Sequence, residues 1–452
     1  MASYEIKNQF SYPIGHVFRT EDGNSYTVIG FLGRGGQGEV YRVRGNAGDF
    51  AVKWYYPDSY LSRINAAAFY KNLSRNVQNG IPRLTSGDAA TDFIWPIRMV
   101  QPEDRSFGYM MRIFPPGYEQ LKNVFMLRKK SADGTVTYLR WKSWFTRITA
   151  ALNIVRAFEI LHASGYSYQD LNDGGISVNM ENGNVMICDC DNVSPDKTNL
   201  GIRGVMTYMA PEVVRGEKLP DRQTDEYSLA VILFRLFLNG HPMNGQESSM
   251  LHNSENLSQQ EADLMIYGSR PHYCLASVNN INPPDPVRNE DVLRLGFTYP
   301  LALMDAFEQV FTKGVNDPGA RLTATEWRRI LLEVRDSLVL VNGQEQFYYI
   351  RKEKPLPKAS RVLVYPHGSR VLLMPDKILY RYHFSEYGAD FKTPAGKIIP
   401  TSKEGVIGLY NAAGAPIRFT LEDKEGVCPD KGRMPLLPGM QLEFGKLKVK
   451  VE

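Results

Sequence analysis

The stretch from Tyr166 to Asp191, YSYQDLNDGGISVNMENGNVMICDCD, constrains this chain more than any other. Asp170 follows a short aromatic turn, and Asp189 and Asp191 close the apolar run Val185-Met186-Ile187-Cys188. Between them, Glu181-Asn182-Gly183-Asn184 is a turn signal separating two strand-like segments. A hairpin returns its ends side by side, so Asp170 and Asp189 are expected to face one site. Taken alone, the same pattern also suits an ordinary surface hairpin with solvated acids.

The rest of the chain has room for such a site. Its 452 residues exceed one ordinary core, which sets an expectation of roughly two to three domains. A hydrophobic content of 43% with 23% charged residues is that of a soluble globular protein. The net charge of +4 gives no reason to invoke nucleic acid or a membrane surface. Cys188, Cys190, Cys274 and Cys428 are too few for a disulfide framework, and the lone C-x-C has no second pair for zinc. Reduced thiols in a cytoplasm are expected. The N-terminal residues lack the apolar core of a signal peptide. The most apolar run, Leu229 to Leu238, is short and interrupted by Arg235, and predicts a buried helix rather than a membrane span.

Upstream, Tyr26 to Leu32 is β-rich and leads into Gly33-Arg34-Gly35-Gly36-Gln37-Gly38. Glu39 to Arg44 alternates like a returning strand, and Asp49 to Tyr55 like a third. A strand after the glycines argues against a dinucleotide fold, in which a helix would follow. Glycines at 33, 35, 36 and 38 let backbone N–H groups approach phosphate oxygens, and Lys53 on the strand beneath supplies a point charge. Val40 and Ala51 flank that space. Residues 60–78 look helical. Phe107 to Phe114 looks like a strand ending in Pro115-Pro116-Gly117, with Met110 or Met111 behind a purine pocket and the backbone near Arg112 at the base edge.

Apolar residues recur at helical spacing from Trp141 to Ala163, and Gly204-Val205-Met206-Thr207-Tyr208-Met209-Ala210-Pro211-Glu212 follows the opening stretch. Here the chain resembles the protein kinase superfamily. Over about residues 25–335, GRGGQGEV, AVK, YQDLNDGG, CDCD, YMAPE, TDEYSLAVILF and DPGARLTATEW occur in the family's order. More narrowly, YSYQDLNDGG, CDCDNV and IYGSRPHY resemble a divergent bacterial group associated with tellurite resistance, whose members accompany phosphatase and von Willebrand-type partners.

The resemblance implies an ATP- and Mg²⁺- (or Mn²⁺-) dependent serine/threonine kinase acting on a protein substrate. Asp170 would accept or steer the substrate hydroxyl proton, Asp189 would bind the metal bridging the phosphates, and Lys53 would meet the α/β-phosphates. Glu212 would pair with Arg321, and Asp225 would accept backbone N–H groups of the Asp170 loop. Four departures accompany these matches. No glutamate lies between Lys53 and Glu103, so the usual helix partner of the lysine is missing, with only candidates such as Asn72 and Asn76. Tyr168-Gln169 replaces His-Arg before Asp170. Gly175 replaces the asparagine that is normally the second metal ligand. Cys190-Asp191 follows Asp189 in place of Phe-Gly.

Alternation on an extended segment would let Asp191 join Asp189 as a metal ligand, with Asn172 or Asp173 near the γ-phosphate; a solvated loop acid is the alternative. Asn172 and Val205 stand where serine/threonine kinases carry a lysine and a threonine. Ser194, Thr198 and Thr207 are candidate modification sites. A pseudokinase, binding nucleotide without transfer, is the competing function.

After Leu340 short strands alternate with turns beyond a proline-punctuated linker, Lys352 to Lys358. GLYNAAGAP and LLPGMQLEFGKLKVKV resemble the closing half of a forkhead-associated domain, a phosphothreonine-binding sandwich. That family's usual arginine is absent, although Arg381 and His383 lie nearby, so docking and phosphopeptide binding both stay open. A phosphopeptide adaptor with a vestigial kinase is a third reading. The expected architecture is α+β: a kinase N-lobe over 1–112, a mainly helical C-lobe over 113–340, a linker over 341–358 and an all-β sandwich over 359–452.

Overall fold

The computed structural model describes residues 11–61, 66–81, 92–131, 134–348, 356–357, 359–386 and 388–452. They form two compact units. The first comprises residues 1–142, 149–296 and 306–328, and the second residues 143–148, 297–305 and 329–452.

The first unit opens with an antiparallel sheet of β1 (Val17–Arg19), β2 (Ser25–Arg34), β3 (Gly38–Gly45), β4 (Gly48–Tyr55), β5 (Arg98–Glu103) and β6 (Ser106–Met111), in the order β1-β2-β3-β4-β6-β5. Side chains alternate between faces along each strand. Phe18, Val28, Tyr41, Val52, Trp54 and Met110 build a core on one face. Tyr55, Phe107 and Tyr109 pack on the other against Phe69 and Leu73. Those two residues belong to α2 (Ala66–Asn79), which follows the short α1 (Pro57–Leu61). Of the helix expected over 60–78, the described residues are helical at 57–61 and 66–79.

Register fixes the cleft side of the sheet: Lys53 lies opposite Val40 and Tyr109, and Ala51 opposite Met111. Close strand approach also explains two glycines. A β-carbon at Gly38 would sit 2.0 Å from the Trp54 carbonyl oxygen, and one at Gly108 2.6 Å from that of Lys53.

The helical part is organised around Arg222–Leu238, whose apolar positions are buried on all sides. Asp221 caps its N-terminus, accepting from the Thr224 N–H while the Thr224 hydroxyl receives from Asp221 N–H. That cap fixes the first turn, which carries Asp225. Ile176–Val178 and Val185–Ile187 form the hairpin expected from the opening stretch, with Val178 opposite Val185. No helix of the described residues is long and apolar enough to cross a membrane.

In the second unit, a hairpin of Leu338–Val341 and Gln344–Phe347 precedes two antiparallel sheets. One has six strands, ordered by residue as 370–373, 361–364, 447–451, 441–444, 417–421 and 424–428; the other has four, 378–380, 394–400, 407–411 and 433–435. Leu363, Leu373, Leu442 and Val449 from the first share a core with Leu379, Ile398, Leu409 and Met434 from the second. Pro394–Pro400, Lys424–Cys428 and Arg433–Pro435 are strands that the apolar pattern misses, because charged, proline and glycine residues interrupt it. The last and longest segment of this unit starts at Arg329, ahead of residue 359. Of the linker Lys352–Lys358, only Leu356 and Pro357 fall among the described residues.

Candidate functional site

Lys53 points from β4 into a set of acids and phenols. Its Nζ donates to Asp189 Oδ1 at 3.0 Å and to both oxygens of Asp191, at 3.1 and 3.3 Å. Tyr109 donates to Asp191 Oδ1 at 3.2 Å, and Tyr55 donates to Asp191 Oδ2. Tyr55 and Tyr109 lie on the same sheet face as Lys53, so strand alternation aims all three at one carboxylate. Burial works against the Lys53 ammonium, but Asp189 and Asp191 outweigh it and raise its pKa above the ordinary lysine value. Burial, reinforced by the charge of Asp191, likewise pushes the Tyr109 phenol well above its usual range, so it stays a donor.

The two aspartates differ sharply. Asp191 is 0% exposed, whereas the Asp189 side chain is 46% exposed. They do not alternate along an extended segment. Asp189 is left-handed, at φ 49° and ψ 37°, and Asp191 sits in a 3₁₀ turn over Cys190–Asn192. The expectation that both would reach a metal therefore fails on geometry: Asp191 is enclosed and committed to Lys53, Tyr55 and Tyr109. Its two oxygens meet the lysine in a chain that has no glutamate between Lys53 and Glu103. Asn72 and Asn76, the neutral candidates on α2, both donate to the Val193 carbonyl, at 3.0 and 2.8 Å. The sequence marks Tyr55 only by its period-two relation to Lys53 on β4, and Tyr109 not at all, since it meets Lys53 through the pairing of β4 with β6.

Asp170 lies on the loop before the hairpin. Asp225 accepts the N–H groups of Tyr168 and Gln169 at 2.6 and 2.8 Å and is 3.2 Å from His162 Nε2. Asn172 donates to the Asp170 carbonyl at 2.9 Å and to its Oδ1 at 3.1 Å, so it holds Asp170. Burial pushes the Asp170 carboxyl up to about 6; the Asn172 hydrogen bond opposes this, and the charges of Asp189 and Asp191 add to it. Gln169 replaces a cation with an amide clamp: its Nε2 donates to Ser194 Oγ at 2.8 Å and to the Thr198 carbonyl at 2.6 Å. Asn199 in turn donates to Gln169 Oε1 at 3.1 Å. Ser194 is thereby buried in that clamp. Farther down, Arg321 meets Glu212 through two parallel 2.8 Å bonds.

The glycine loop divides by cause. β-Carbons at Gly33, Gly35 and Gly36 would meet nothing within 4 Å, leaving open backbone, whereas Gly38 serves strand packing. The Gly35 N–H donates to the Gly38 carbonyl at 2.9 Å and closes the loop. Met111 packs beside Tyr55 and Tyr109, while Met110 is in the core of the opposite face. The Arg112 guanidinium donates to the Phe93 carbonyl at 2.9 Å.

Mg²⁺ prefers oxygen ligands and is held in nucleotide sites by one or two carboxylates plus phosphates and water. The half-exposed Asp189 fits that demand. Asp191 does not, Gly175 offers no side chain, and no group of three or more His, Cys, Asp or Glu suited to a metal occurs among the described residues.

Residues 128–326 match the family model for the protein kinase domain, less than half of the chain. A putative protein kinase C delta type homolog of Drosophila melanogaster is 31% identical over 102 residues, 22% of this chain and 15% of that protein. CBL-interacting protein kinase 12 of Oryza sativa subsp. japonica is 26% identical over 171 residues, 34% of this chain and 31% of the other. The chain spans less than a third of each relative's length. Among solved structures, the PknI kinase domain of Mycobacterium tuberculosis aligns at 16% identity and a TM-score of 0.43, covering 72% of this chain and 99% of that one. The family match supports the protein kinase superfamily for this chain.

Proposed function

We propose that this protein is an ATP-dependent protein kinase that transfers the γ-phosphoryl group to a serine or threonine hydroxyl. The observation that carries this reading is the Lys53–Asp189 ion pair, with Asp170 near enough to feel the charge of both and Asp191 on the lysine where no helix glutamate is available. Nucleotide phosphates would lie under the open backbone of Gly33, Gly35 and Gly36, with Val40, Ala51 and Met111 around the base. A divalent cation held by Asp189 would neutralise phosphate charge.

Asp170 accepts the substrate hydroxyl proton as the new oxygen–phosphorus bond forms. The bond from the γ-phosphorus to the β-bridging oxygen breaks, its electron pair leaves with ADP, and the proton passes from Asp170 to solvent. Lys53 places the α/β-phosphates, so catalysis is positioning and charge stabilisation. We read the second unit as a β-sandwich that docks partners, a phosphatase or von Willebrand-type protein among the candidates. His383 contributes no free cation there, being buried against Asp336 at 3.0 Å.

Radiolabelled γ-phosphate transfer to the chain itself and to a generic protein, with Mg²⁺ or Mn²⁺, tests the proposal. Label on serine or threonine that disappears in Asp170→Asn supports it. One observation favours the rival, a nucleotide-binding regulator: Gly175 and Tyr168 remove the usual second metal ligand. Nucleotide binding without transfer under either metal would establish that rival.

A further inference from the structure

We infer that Asp191 is the positioning residue of Lys53, while Asp189, two residues earlier, is the carboxylate left to a metal. The inference deepens the nucleotide-dependent reading above and rests on it. Asp191 contacts Lys53 through both oxygens, and Tyr55 and Tyr109 hold those oxygens from β4 and β6. With no exposure, Asp191 has no face left for a metal or its water shell. Asp189, two residues earlier, turns through a left-handed backbone and keeps its carboxylate half exposed. The same turn therefore encloses one carboxylate against the lysine through both oxygens, while the other meets the lysine through Oδ1 and stays half exposed.

Helix α2 grips this turn from another direction, through Asn72 and Asn76 on the Val193 carbonyl. These bonds anchor the C-terminal end of the turn that carries Asp191. Because a buried ion pair broken on one side leaves an uncompensated charge, removing the Asp191 carboxylate leaves the Lys53 ammonium held only by the half-exposed Asp189.

The test uses the full chain, with Mg²⁺ titrations of transfer and metal-free binding of a fluorescent ATP analogue. Asp191→Asn is expected to lower kcat at saturating ATP and Mg²⁺ by about 30-fold or more while leaving the Mg²⁺ midpoint within about threefold. Asp189→Asn is expected to raise that midpoint by about tenfold or more. In metal-free binding, Lys53→Met and Asp191→Asn should each weaken the analogue, and the double variant no further than the worse single. A Mg²⁺ midpoint that shifts in Asp191→Asn as it does in Asp189→Asn overturns the inference, as does additivity in the double variant.

If Asp191→Asn unfolds more readily, adding Lys53→Met should restore the melting temperature, since no buried ammonium remains; failure to restore it also overturns the inference. A wild-type chain that binds nucleotide without transfer, yet shows the non-additive cycle, leaves Asp191 positioning Lys53 and removes the kinase reading. A wild-type chain that binds no nucleotide removes both.

Discussion

The Tyr168 hydroxyl lies 2.8 Å from where a β-carbon at Gly175 would stand, and it donates to the Cys188 carbonyl oxygen. The tyrosine that replaces histidine thus fills the volume vacated by the lost asparagine, and the two departures are one packing solution. Gly175→Asn alone is expected to destabilise the chain by about 1–3 kcal/mol, because the buried phenol must move. Pairing it with Tyr168→His should recover most of that loss and lower the Mg²⁺ midpoint of transfer. Chemical denaturation of the two variants checks the first point, and a Gly175→Asn chain as stable as wild type would refute it.

Asp170 ties activity to pH and stability in opposite senses. Its carboxyl titrates near 6 in the folded chain against 3.8 when unperturbed. As a proton acceptor it must be ionised, so kcat/KM should fall as pH drops through about 6. The folded state binds this proton more tightly than the unfolded state. Its stabilising contribution is therefore complete in acid and is lost as pH rises from about 4 to about 6. Asp170→Asn should abolish transfer yet stabilise the chain at pH 7 by up to about 3 kcal/mol, with the gain fading towards pH 4. Urea titrations at both pH values measure this; an equal gain at each would exclude the linkage.

What could be read beforehand followed from local chemistry. The hairpin came from alternation around Glu181–Asn184, the buried helix from its unbroken apolar run, and the Glu212–Arg321 pair from motif order. The lysine partner could not be read in this way. Asp191 resembles its neighbour Asp189 in sequence, and the left-handed backbone at Asp189 ends the expected alternation, with one carboxylate enclosed and the other half exposed. That conformation is rare outside glycine, asparagine and aspartate, and the sequence pattern favoured an extended segment instead. Tyr109 became a site residue only through the pairing of β4 with β6. The strands around Pro394 and Lys424 escaped because their sheet partners, rather than their own composition, hold them.

The buried fork between Arg321 and Glu212 gives a third expectation. Arg321 is enclosed, stacks 5.3 Å from the Tyr227 ring centroid and also donates to the Gly314 carbonyl at 2.8 Å. Lysine cannot reproduce this planar donor set. Glu212→Ala should cost about 3–5 kcal/mol, because it strands a buried guanidinium. Arg321→Lys should also destabilise the chain, retaining charge but losing the two-pronged bond. Thermal unfolding decides, and a melting temperature unchanged in Arg321→Lys would contradict the argument.

The last expectation concerns where the second unit begins. Asp336 Oδ1 accepts from Tyr382 at 2.6 Å and lies 3.0 Å from His383 Nε2, while Lys377 donates to the Asp336 carbonyl at 2.5 Å. Arg335 donates to the Phe391 carbonyl at 3.1 Å, with its guanidinium 4.6 Å from the Tyr380 ring centroid. Val339 packs on Val362 and Leu372. A fragment cut at 359 loses all of these partners and bares apolar strand surface, so it should be unfolded or aggregated. In the full chain, Asp336→Ala leaves Tyr382 and His383 buried without their acceptor and should cost about 1–3 kcal/mol. Burial alone would raise the Asp336 carboxyl, but His383 and Lys377 hold it below its ordinary value. The stability it adds is therefore present above its unfolded value of 3.8 and lost as pH falls through the lower folded one, so the Asp336→Ala deficit should shrink in acid. Denaturation at pH 7 and pH 3 tests both statements: a soluble, cooperatively folding 359–452 fragment, or a deficit that grows in acid, would show that Asp336 does not hold this unit together.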